Sequence, residues 1–145
     1  MSVHFTPKAG LIPCIVDPKD GKLKMLFMVA SDPKYGGPKP MISKGTIEDG
    51  EDTLVAAIRE AHEELGLKQN NIDGLPFKVW EGFVQLRTSQ YDLIVYGVKI
   101  KDKHDFDKWQ HETLYTTWMT NESFQEKGRR DHKPIVQLLV DQISK

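Results

Sequence analysis

Residues 45–67 read GTIEDGEDTLVAAIREAHEELGL, and this stretch predicts a helix with a signal at each end. Asp49 or a neighbouring residue can cap a helix that starts near Glu51, because a short carboxylate accepts hydrogen bonds from the first free backbone N–H groups. Gly66 stands where a left-handed residue would end the helix. At about 100° per residue, four side chains point in nearly one direction, and we expect this face to pack on a sheet: Leu54, Ile58, Ala61 and Leu65.

A second face of the same predicted helix carries three glutamates. Glu60, Glu63 and Glu64 occupy an arc of about 100°, since residues three and four apart on a helix are neighbours. Carboxylates this close raise each other's pKa unless a cation or several hydrogen-bond donors lie between them. Hard oxygen ligands without a nearby thiolate favour Mg²⁺ or Mn²⁺ over zinc. The pattern therefore indicates a metal site, while a solvated acidic helix face is the competing interpretation.

Arg59 lies on the helix beside these carboxylates. It can reach Glu63 one turn further along, or Glu51 at the start of the helix. A guanidinium group holds a carboxylate with two parallel hydrogen bonds, which a lysine cannot do. We therefore expect Arg59 to orient one of these carboxylates.

Strand-like segments flank the helix on both sides. Strands are predicted over residues 9–16, 25–30, 77–87, 91–100 and 114–119. The stretch 17–21 has hairpin-turn chemistry and joins the first two. A short helix capped by Asn121 and a last helix from Pro134 to about Ile143 close the chain, the latter with a mostly apolar stripe of Ile135, Leu138, Leu139 and Gln142. This order predicts a mixed β-sheet with helices packed on it.

Length, charge and cysteine content limit the classes of protein that fit. The 145 residues, 39% of them hydrophobic, suffice for one core, so a single domain over residues 1–145 is expected. A net charge of −1 provides no polycationic surface, so DNA is not an expected partner. Cys14 is the only cysteine, which fits a reducing cytoplasm. The chain shows neither a signal-peptide pattern nor an apolar run of membrane-spanning length, so we expect neither export nor membrane insertion.

The spacing of the central stretch resembles a known family motif. The stretch resembles the Nudix box and matches it at all seven fixed positions. Five residues separate Gly45 from Glu51, and seven more separate Glu51 from the segment 59–67. Ala61 is a mild departure, because the family usually has a larger aliphatic residue there. The resemblance implies an α/β fold of the Nudix type, an α/β/α sandwich whose mixed sheet carries the box helix and a C-terminal helix. It also implies hydrolysis of a nucleoside diphosphate linked to another moiety.

The resemblance assigns roles to individual residues. It implies metal ligation, by Mg²⁺ or Mn²⁺, at the Gly45 carbonyl and at three carboxylates: Glu60, Glu63 and Glu64. It makes Arg59 and Glu51 an orienting pair. The family draws its catalytic base either from the box helix or from a later loop, so Glu63 and Glu112 both stay open as the base.

Three further residues are candidates for substrate binding. Lys44 directly precedes the box glycine and can contact a phosphate oxygen, Arg87 stands at a predicted strand end, and Tyr35 can stack on a base. The expected substrate is a small nucleotide such as ADP-ribose or a diadenosine polyphosphate. A nucleoside triphosphate pyrophosphatase, an RNA 5′-end pyrophosphohydrolase and a non-catalytic nucleotide-binding module are the alternatives. A homodimer is compatible with the sequence.

Overall fold

The computed structural model describes residues 6–35, 38–87 and 89–144. Its strands and helices, in chain order, are β1 Thr6–Val16, β2 Leu23–Ala30, β3 Ser43–Thr46, α1 Thr53–Leu65, β4 Phe77–Gln85, β5 Gln90–Lys99, β6 Thr113–Met119, α2 Asn121–Lys127 and α3 Lys133–Ile143. All five predicted strands and all three predicted helices are confirmed, with small differences at their ends. The predicted cap of α2 was wrong: Thr120 caps this helix, and Asn121 is its first residue. No helix among the described residues is long and apolar enough to span a membrane.

The sheet has the strand order β4-β5-β1-β2-β6, with β3 also paired to β1. β1 pairs antiparallel with β2 and parallel with β5, which makes the sheet mixed, as predicted. The β1–β2 connection is a tight turn, in which the Gly21 N–H donates to the Asp17 carbonyl at 2.8 Å and Gly21 has a φ of +72°. The Asp17 side chain is buried and paired with Lys24 and Lys103. These pairings close the predicted hairpin.

Strand β3 was not predicted from the sequence. It pairs antiparallel with residues 8–11 of β1. Four residues that include a serine, a lysine and a glycine carry no apolar alternation, so only tertiary pairing identifies them as a strand. Because side chains alternate along a strand, Ser43 and Gly45 face α1 while Lys44 points to the opposite face of the sheet.

Helices cover both faces of the sheet. On one face α1 packs on a core that includes Ala9, Leu11, Leu26, Met28, Ala57, Ala61, Leu65 and Val98. On the other, α2 and α3 pack on Ile12, Cys14, Phe27, Ile42, Val95, Phe124, Val136 and Leu139. Burial in the second core raises the pKa of the Cys14 thiol to about 11. This arrangement confirms the α/β/α sandwich with the box helix and the C-terminal helix on opposite faces.

Helix α1 has the predicted boundaries but a different buried face. Asp52, a neighbour of Asp49, is the cap, and its carboxylate accepts hydrogen bonds from the second and third helical N–H groups at 3.0 and 3.4 Å. Gly66 ends the helix at φ +77°. The residues buried against the sheet are Ala56, Ala57, Glu60, Ala61, Glu64 and Leu65, whereas Leu54 and Ile58 are only half-buried. The prediction of the packing face was therefore wrong in part, because Glu64 accepts hydrogen bonds from β3 and Glu60 pairs with Arg59 while packing on Gly45.

The stripe predicted for α3 also needs correction. Leu138 is 41% exposed and Gln142 is exposed, whereas Ile135, Val136 and Leu139 are buried. Because α3 packs against both α2 and β4, its buried face includes Val136 and excludes Leu138 and Gln142.

His132 joins the segment before α3 to the start of β3. Its side chain is 1% exposed, and its Nδ1 accepts a hydrogen bond from the Ile42 N–H at 3.0 Å. Burial, followed by the charges of Lys44 and Arg129, holds the pKa of His132 well below its usual value, although Asp131 Oδ2 lies 3.6 Å from Nε2. The imidazole is therefore neutral in the folded protein at neutral pH.

Folding stability is expected to fall as the pH drops below about 6.5, the ordinary pKa of an unfolded histidine. Below that pH the unfolded chain binds a proton that folded His132 does not, so the free energy of unfolding decreases by up to about 1.4 kcal/mol per pH unit from this group. His132→Asn keeps an acceptor for the Ile42 N–H and cannot take up the proton. Urea unfolding of both proteins from about pH 8 down to about pH 5 compares the slopes. Identical slopes would contradict this account.

Candidate active site

A cavity of about 750 Å³ lies beside β3 and the glutamate-bearing face of α1. Its lining brings together residues from β1, β2, β3, α1 and the loop before β6. The lining includes Lys8, Met28, Ser31, Asp32, Lys44, Gly45, Arg59, Glu60, Glu64, His111 and Glu112. The cavity lining therefore includes five neighbouring candidates from the sequence: Lys44, Gly45, Arg59, Glu60 and Glu64. Glu112, from the loop before β6, is a sixth.

Glu64 is held in place from two sides. Its Oε1 accepts hydrogen bonds from the Ser43 hydroxyl and from the Lys44 backbone N–H, both at 2.8 Å. The residue is 7% exposed, and burial, with a contribution from the neighbouring Glu60, raises the pKa of its carboxyl to about 8. The two hydrogen bonds act in the opposite direction and do not outweigh burial. The position thus favours a cation beside Glu64.

Glu60 packs directly against the backbone of Gly45. A Cβ placed on Gly45 would lie 2.0 Å from Glu60 Cδ, so any larger residue there would displace the carboxylate. Glu60 is 9% exposed, and burial, then the charge of Glu63, raises the pKa of its carboxyl, with Arg59 opposing. Glycine at position 45 is thus what allows a buried carboxylate and a strand backbone to share this space.

Arg59 makes the fork that the sequence predicts. Its Nε and Nη2 donate to the two oxygens of Glu51 at 2.8 and 3.0 Å, and its Nη1 donates to Glu60 Oε1 at 2.9 Å. These bonds lower the pKa of Glu51 to about 2 and raise that of Arg59. Glu63 is half-buried, with Oε1 3.5 Å from Arg59 Nη1, and does not belong to the cavity lining. Arg59 therefore fixes Glu60 and touches Glu63.

The loop at residues 101–112 is fastened to α1 and β2 through backbone groups. The Asp107 N–H donates to the Gly66 carbonyl and the Gln110 N–H to the Glu63 carbonyl, both at 2.8 Å. The Ser31 N–H donates to the Glu112 carbonyl at 3.0 Å. Glu112 thereby lines the cavity, and its charge contributes to raising the pKa of Glu60.

A cluster of cations, which we call the cationic pocket, lies on the sheet face opposite α1. It consists of Lys8, Lys44, Arg129 and the ring of Tyr91. Lys8 Nζ and Lys44 Nζ lie 4.7 and 5.4 Å from the centroid of that ring. Burial, then Lys8 and Arg129, lowers the pKa of Lys44 to about 8. Sequence reasoning identified Lys44 alone, because these residues come from β1, β3, β5 and the α2–α3 connection and only the strand pairings bring them together.

The side chains on the α1 side suit a hard divalent cation. Within residues 6–35, 38–87 and 89–144, no three His, Cys, Asp or Glu side chains already converge into a ready-made metal site. The donor set nevertheless fits, because Glu60 and Glu64 are neighbouring buried carboxylates, and burial together with nearby carboxylates raises their pKa values. Oxygen ligands of this kind suit Mg²⁺ or Mn²⁺.

Two residues predicted to bind substrate are not brought to the cavity. Arg87 is exposed beyond the end of β4 and does not line the cavity. The side chain of Tyr35 lies outside the described residues, so its predicted stacking role stays a prediction.

Comparison with known proteins places the chain in a family. The model of the NUDIX domain matches residues 8–139. A search of curated protein sequences finds no match. Solved structures that are similar include a C. elegans Ap4A hydrolase binary complex, with 19% identity, a TM-score of 0.78 and coverage of 96% of this chain and 98% of that one. The NUDIX domain of Shewanella oneidensis NrtR complexed with ADP ribose has 10% identity, a TM-score of 0.78 and coverage of 99% and 90%. With its box intact and its fold shared with these proteins, the chain belongs to the Nudix family, the hydrolases that act on pyrophosphate bonds and generally use divalent metal ions.

Proposed function

We propose that this protein is a Mg²⁺-dependent pyrophosphohydrolase that cleaves a diphosphate linkage in a nucleoside diphosphate derivative. The observation that carries the proposal is the pair of buried carboxylates, Glu60 and Glu64, at the wall of a cavity large enough for a nucleotide. Buried carboxylates with raised pKa values are costly unless they bind a cation. Mg²⁺ is the cation that most often accompanies phosphate substrates.

Each residue of the box has a distinct task in this proposal. The Gly45 carbonyl and the carboxylates of Glu60, Glu63 and Glu64 would hold the metal. A bound Mg²⁺ would supply positive charge for the diphosphate oxygens and would lower the pKa of a water molecule. Arg59 keeps Glu60 in one orientation, and Glu51 keeps Arg59 in place through the two-bond fork. The hydrogen bonds of Arg59 to Glu51 and Glu60 thus restrict the side-chain conformation of Glu60 before a metal binds.

Glu112 serves as the general base in this proposal. It lines the cavity together with Glu60 and Glu64, whereas Glu63 lies outside the lining and beside Arg59. A water oxygen attacks one phosphorus in line with the bond that breaks, and Glu112 takes the proton of that water. The leaving phosphate keeps the electron pair of the broken P–O bond. Lys44 can contact a phosphate oxygen from the cavity wall.

The substrate class is proposed from the cavity and from what related structures bind. One similar structure is named as an Ap4A hydrolase and another contains ADP ribose. Ap4A and ADP ribose are both nucleotides with a diphosphate linkage, which supports a substrate of this class for the present protein. ADP-ribose and the diadenosine polyphosphates are therefore the first substrates to test.

A substrate panel tests the proposed function. The purified protein is incubated with ADP-ribose, diadenosine polyphosphates, nucleotide sugars, FAD, NADH, nucleoside triphosphates and 5′-triphosphorylated RNA, and products are followed by a coupled phosphatase. We expect hydrolysis of at least one small nucleotide with Mg²⁺ and none in metal-free buffer. Tight binding without any product would instead identify a non-catalytic module. Turnover of RNA alone would identify an RNA 5′-end pyrophosphohydrolase.

A further inference from the structure

The cationic pocket carries more positive charge than its own residues compensate. Lys8, Lys44 and Arg129 contribute three cations, and the carboxylates whose charges act on Lys44 are Glu64, from the α1 side, and Asp131. Asp131 Oδ1 already accepts from Arg129 Nε at 2.7 Å. Among the described residues, neither Lys8 nor Lys44 forms a salt bridge with a carboxylate. Two lysines beside one aromatic ring repel each other unless an anion lies near them.

The pocket also has polar atoms that the protein leaves unused. Tyr91 is 3% exposed and its hydroxyl has no hydrogen-bond partner in the described part of the chain. His132 Nε2 and Asp131 Oδ2, 3.6 Å apart, are also buried without a hydrogen-bond partner there. Because His132 Nδ1 accepts from a backbone N–H, the proton of the neutral ring is on Nε2 and faces the Asp131 carboxylate. The Tyr91 hydroxyl, beside Lys8 and Lys44, is the donor that suits an oxygen atom with negative charge.

The two lysines of the cationic pocket share a cavity with the carboxylates, whereas Arg129 and Tyr91 are not part of its lining. Lys8 and Lys44 line it together with Glu60, Glu64 and Glu112. The cavity therefore has an anionic side, which suits a metal-bound diphosphate, and a cationic side, which a metal does not occupy. A ligand that fills the cavity meets both.

We propose, on the basis of the function proposed above, that Lys8 and Lys44 bind an anionic group of the substrate beyond the diphosphate that is cleaved, with the charge of Arg129 adding to the positive potential around them. The preferred substrates are then nucleotides with three or more phosphates, such as dinucleoside polyphosphates or nucleoside triphosphates. ADP-ribose and nucleotide sugars have two phosphates followed by a neutral sugar, so they leave the cationic side without an anion. Lys8 is a specificity-determining residue in this proposal.

Substitution of Lys8 tests the proposal in two ways. The first is the ratio of kcat/KM for diadenosine tetraphosphate to that for ADP-ribose, measured with Mg²⁺. Lys8→Gln is expected to lower this ratio about tenfold, since one charge-assisted contact is lost. Lys8→Arg is expected to restore it. Lys78→Gln is the control, because Lys78 is an exposed lysine on β4 whose partner is Glu81.

The second measurement needs no catalysis. Inorganic tripolyphosphate is titrated into the protein by calorimetry in metal-free buffer, where the carboxylate side repels phosphate. We expect the wild type and Lys78→Gln to bind equally, and Lys8→Gln to bind about tenfold more weakly. Absence of wild-type binding, or unchanged binding by Lys8→Gln, would overturn the proposal. So would an equal loss of kcat/KM on both nucleotides.

The two proposals fail in different ways. A wild type that hydrolyses nucleotides with a ratio insensitive to Lys8→Gln overturns the role of the cationic pocket and leaves the hydrolase function intact. A wild type that hydrolyses nothing overturns the hydrolase function, while metal-free binding of tripolyphosphate still decides whether the pocket binds polyphosphate.

Discussion

Glu64→Gln is expected to lower kcat/KM by about 10³-fold or more, since removing one anionic metal ligand costs several kcal/mol of transition-state stabilisation. Glutamine keeps the acceptor oxygen that receives hydrogen bonds from the Ser43 hydroxyl and the Lys44 N–H. The substitution therefore removes the negative charge that Glu64 would carry with a metal bound, and it leaves the local geometry in place. The loss should appear with every nucleotide that the wild type hydrolyses.

Thermal unfolding separates loss of metal binding from loss of folding. A ligand that binds only the folded state raises its stability, so Mg²⁺ should raise the Tm of the wild type and not that of Glu64→Gln. Without metal at neutral pH, the Tm of Glu64→Gln should equal that of the wild type, because a Glu64 carboxyl with a pKa of about 8 is then mostly protonated and glutamine is likewise uncharged. Glu81→Gln, at an exposed site on β4, is the matched control. Activity of Glu64→Gln within tenfold of the wild type would refute the metal site.

The features of α1 that depend on nearby residues were predictable. A cap at the start, a glycine at the end and an arginine one or two turns from a glutamate are set by helix geometry. The structure confirms the two helix ends and the fork of Arg59 on Glu51. These interactions need no knowledge of the rest of the chain.

The buried face of α1 depends on what the sheet offers. Periodicity favoured Leu54 and Ile58 as packing residues, because apolar side chains usually supply the buried face. Ser43 and the Lys44 N–H provide hydrogen bonds for Glu64, and Gly45 leaves room for Glu60, so these two acidic residues are buried instead. Strand β3, which supplies those donors, has no apolar pattern of its own, and neither it nor its contacts could be predicted from periodicity.

The cationic pocket and the position of Glu112 depend on long-range pairing. Lys8 and Tyr91 come together because β1 and β5 are parallel neighbours. Glu112 reaches the cavity because its carbonyl accepts a hydrogen bond from Ser31, far away in the sequence. Both features require tertiary contacts, which a single sequence does not specify.

The contact between Ser31 and the Glu112 carbonyl matters most for the identity of the catalytic base. Glu112→Gln is expected to lower kcat by about 10²–10⁴-fold, the usual contribution of a general base, with a much smaller change in KM. The hydrogen bond that fixes this part of the loop uses the backbone carbonyl of Glu112, so the substitution leaves the loop anchored. Steady-state kinetics on the best substrate of the panel measures both constants.

Glu63→Gln is the comparison that distinguishes a base from a metal ligand. Glu112→Gln should keep the Mg²⁺-induced rise in Tm, whereas Glu63→Gln should reduce it, because Glu63 is proposed to bind metal and Glu112 is not. If Glu112→Gln turns over at the wild-type rate while Glu63→Gln loses kcat with metal binding intact, Glu63 is the base. The cavity favours the first outcome, since Glu112 borders it together with Glu60 and Glu64, and Glu63 lies half-buried beside Arg59.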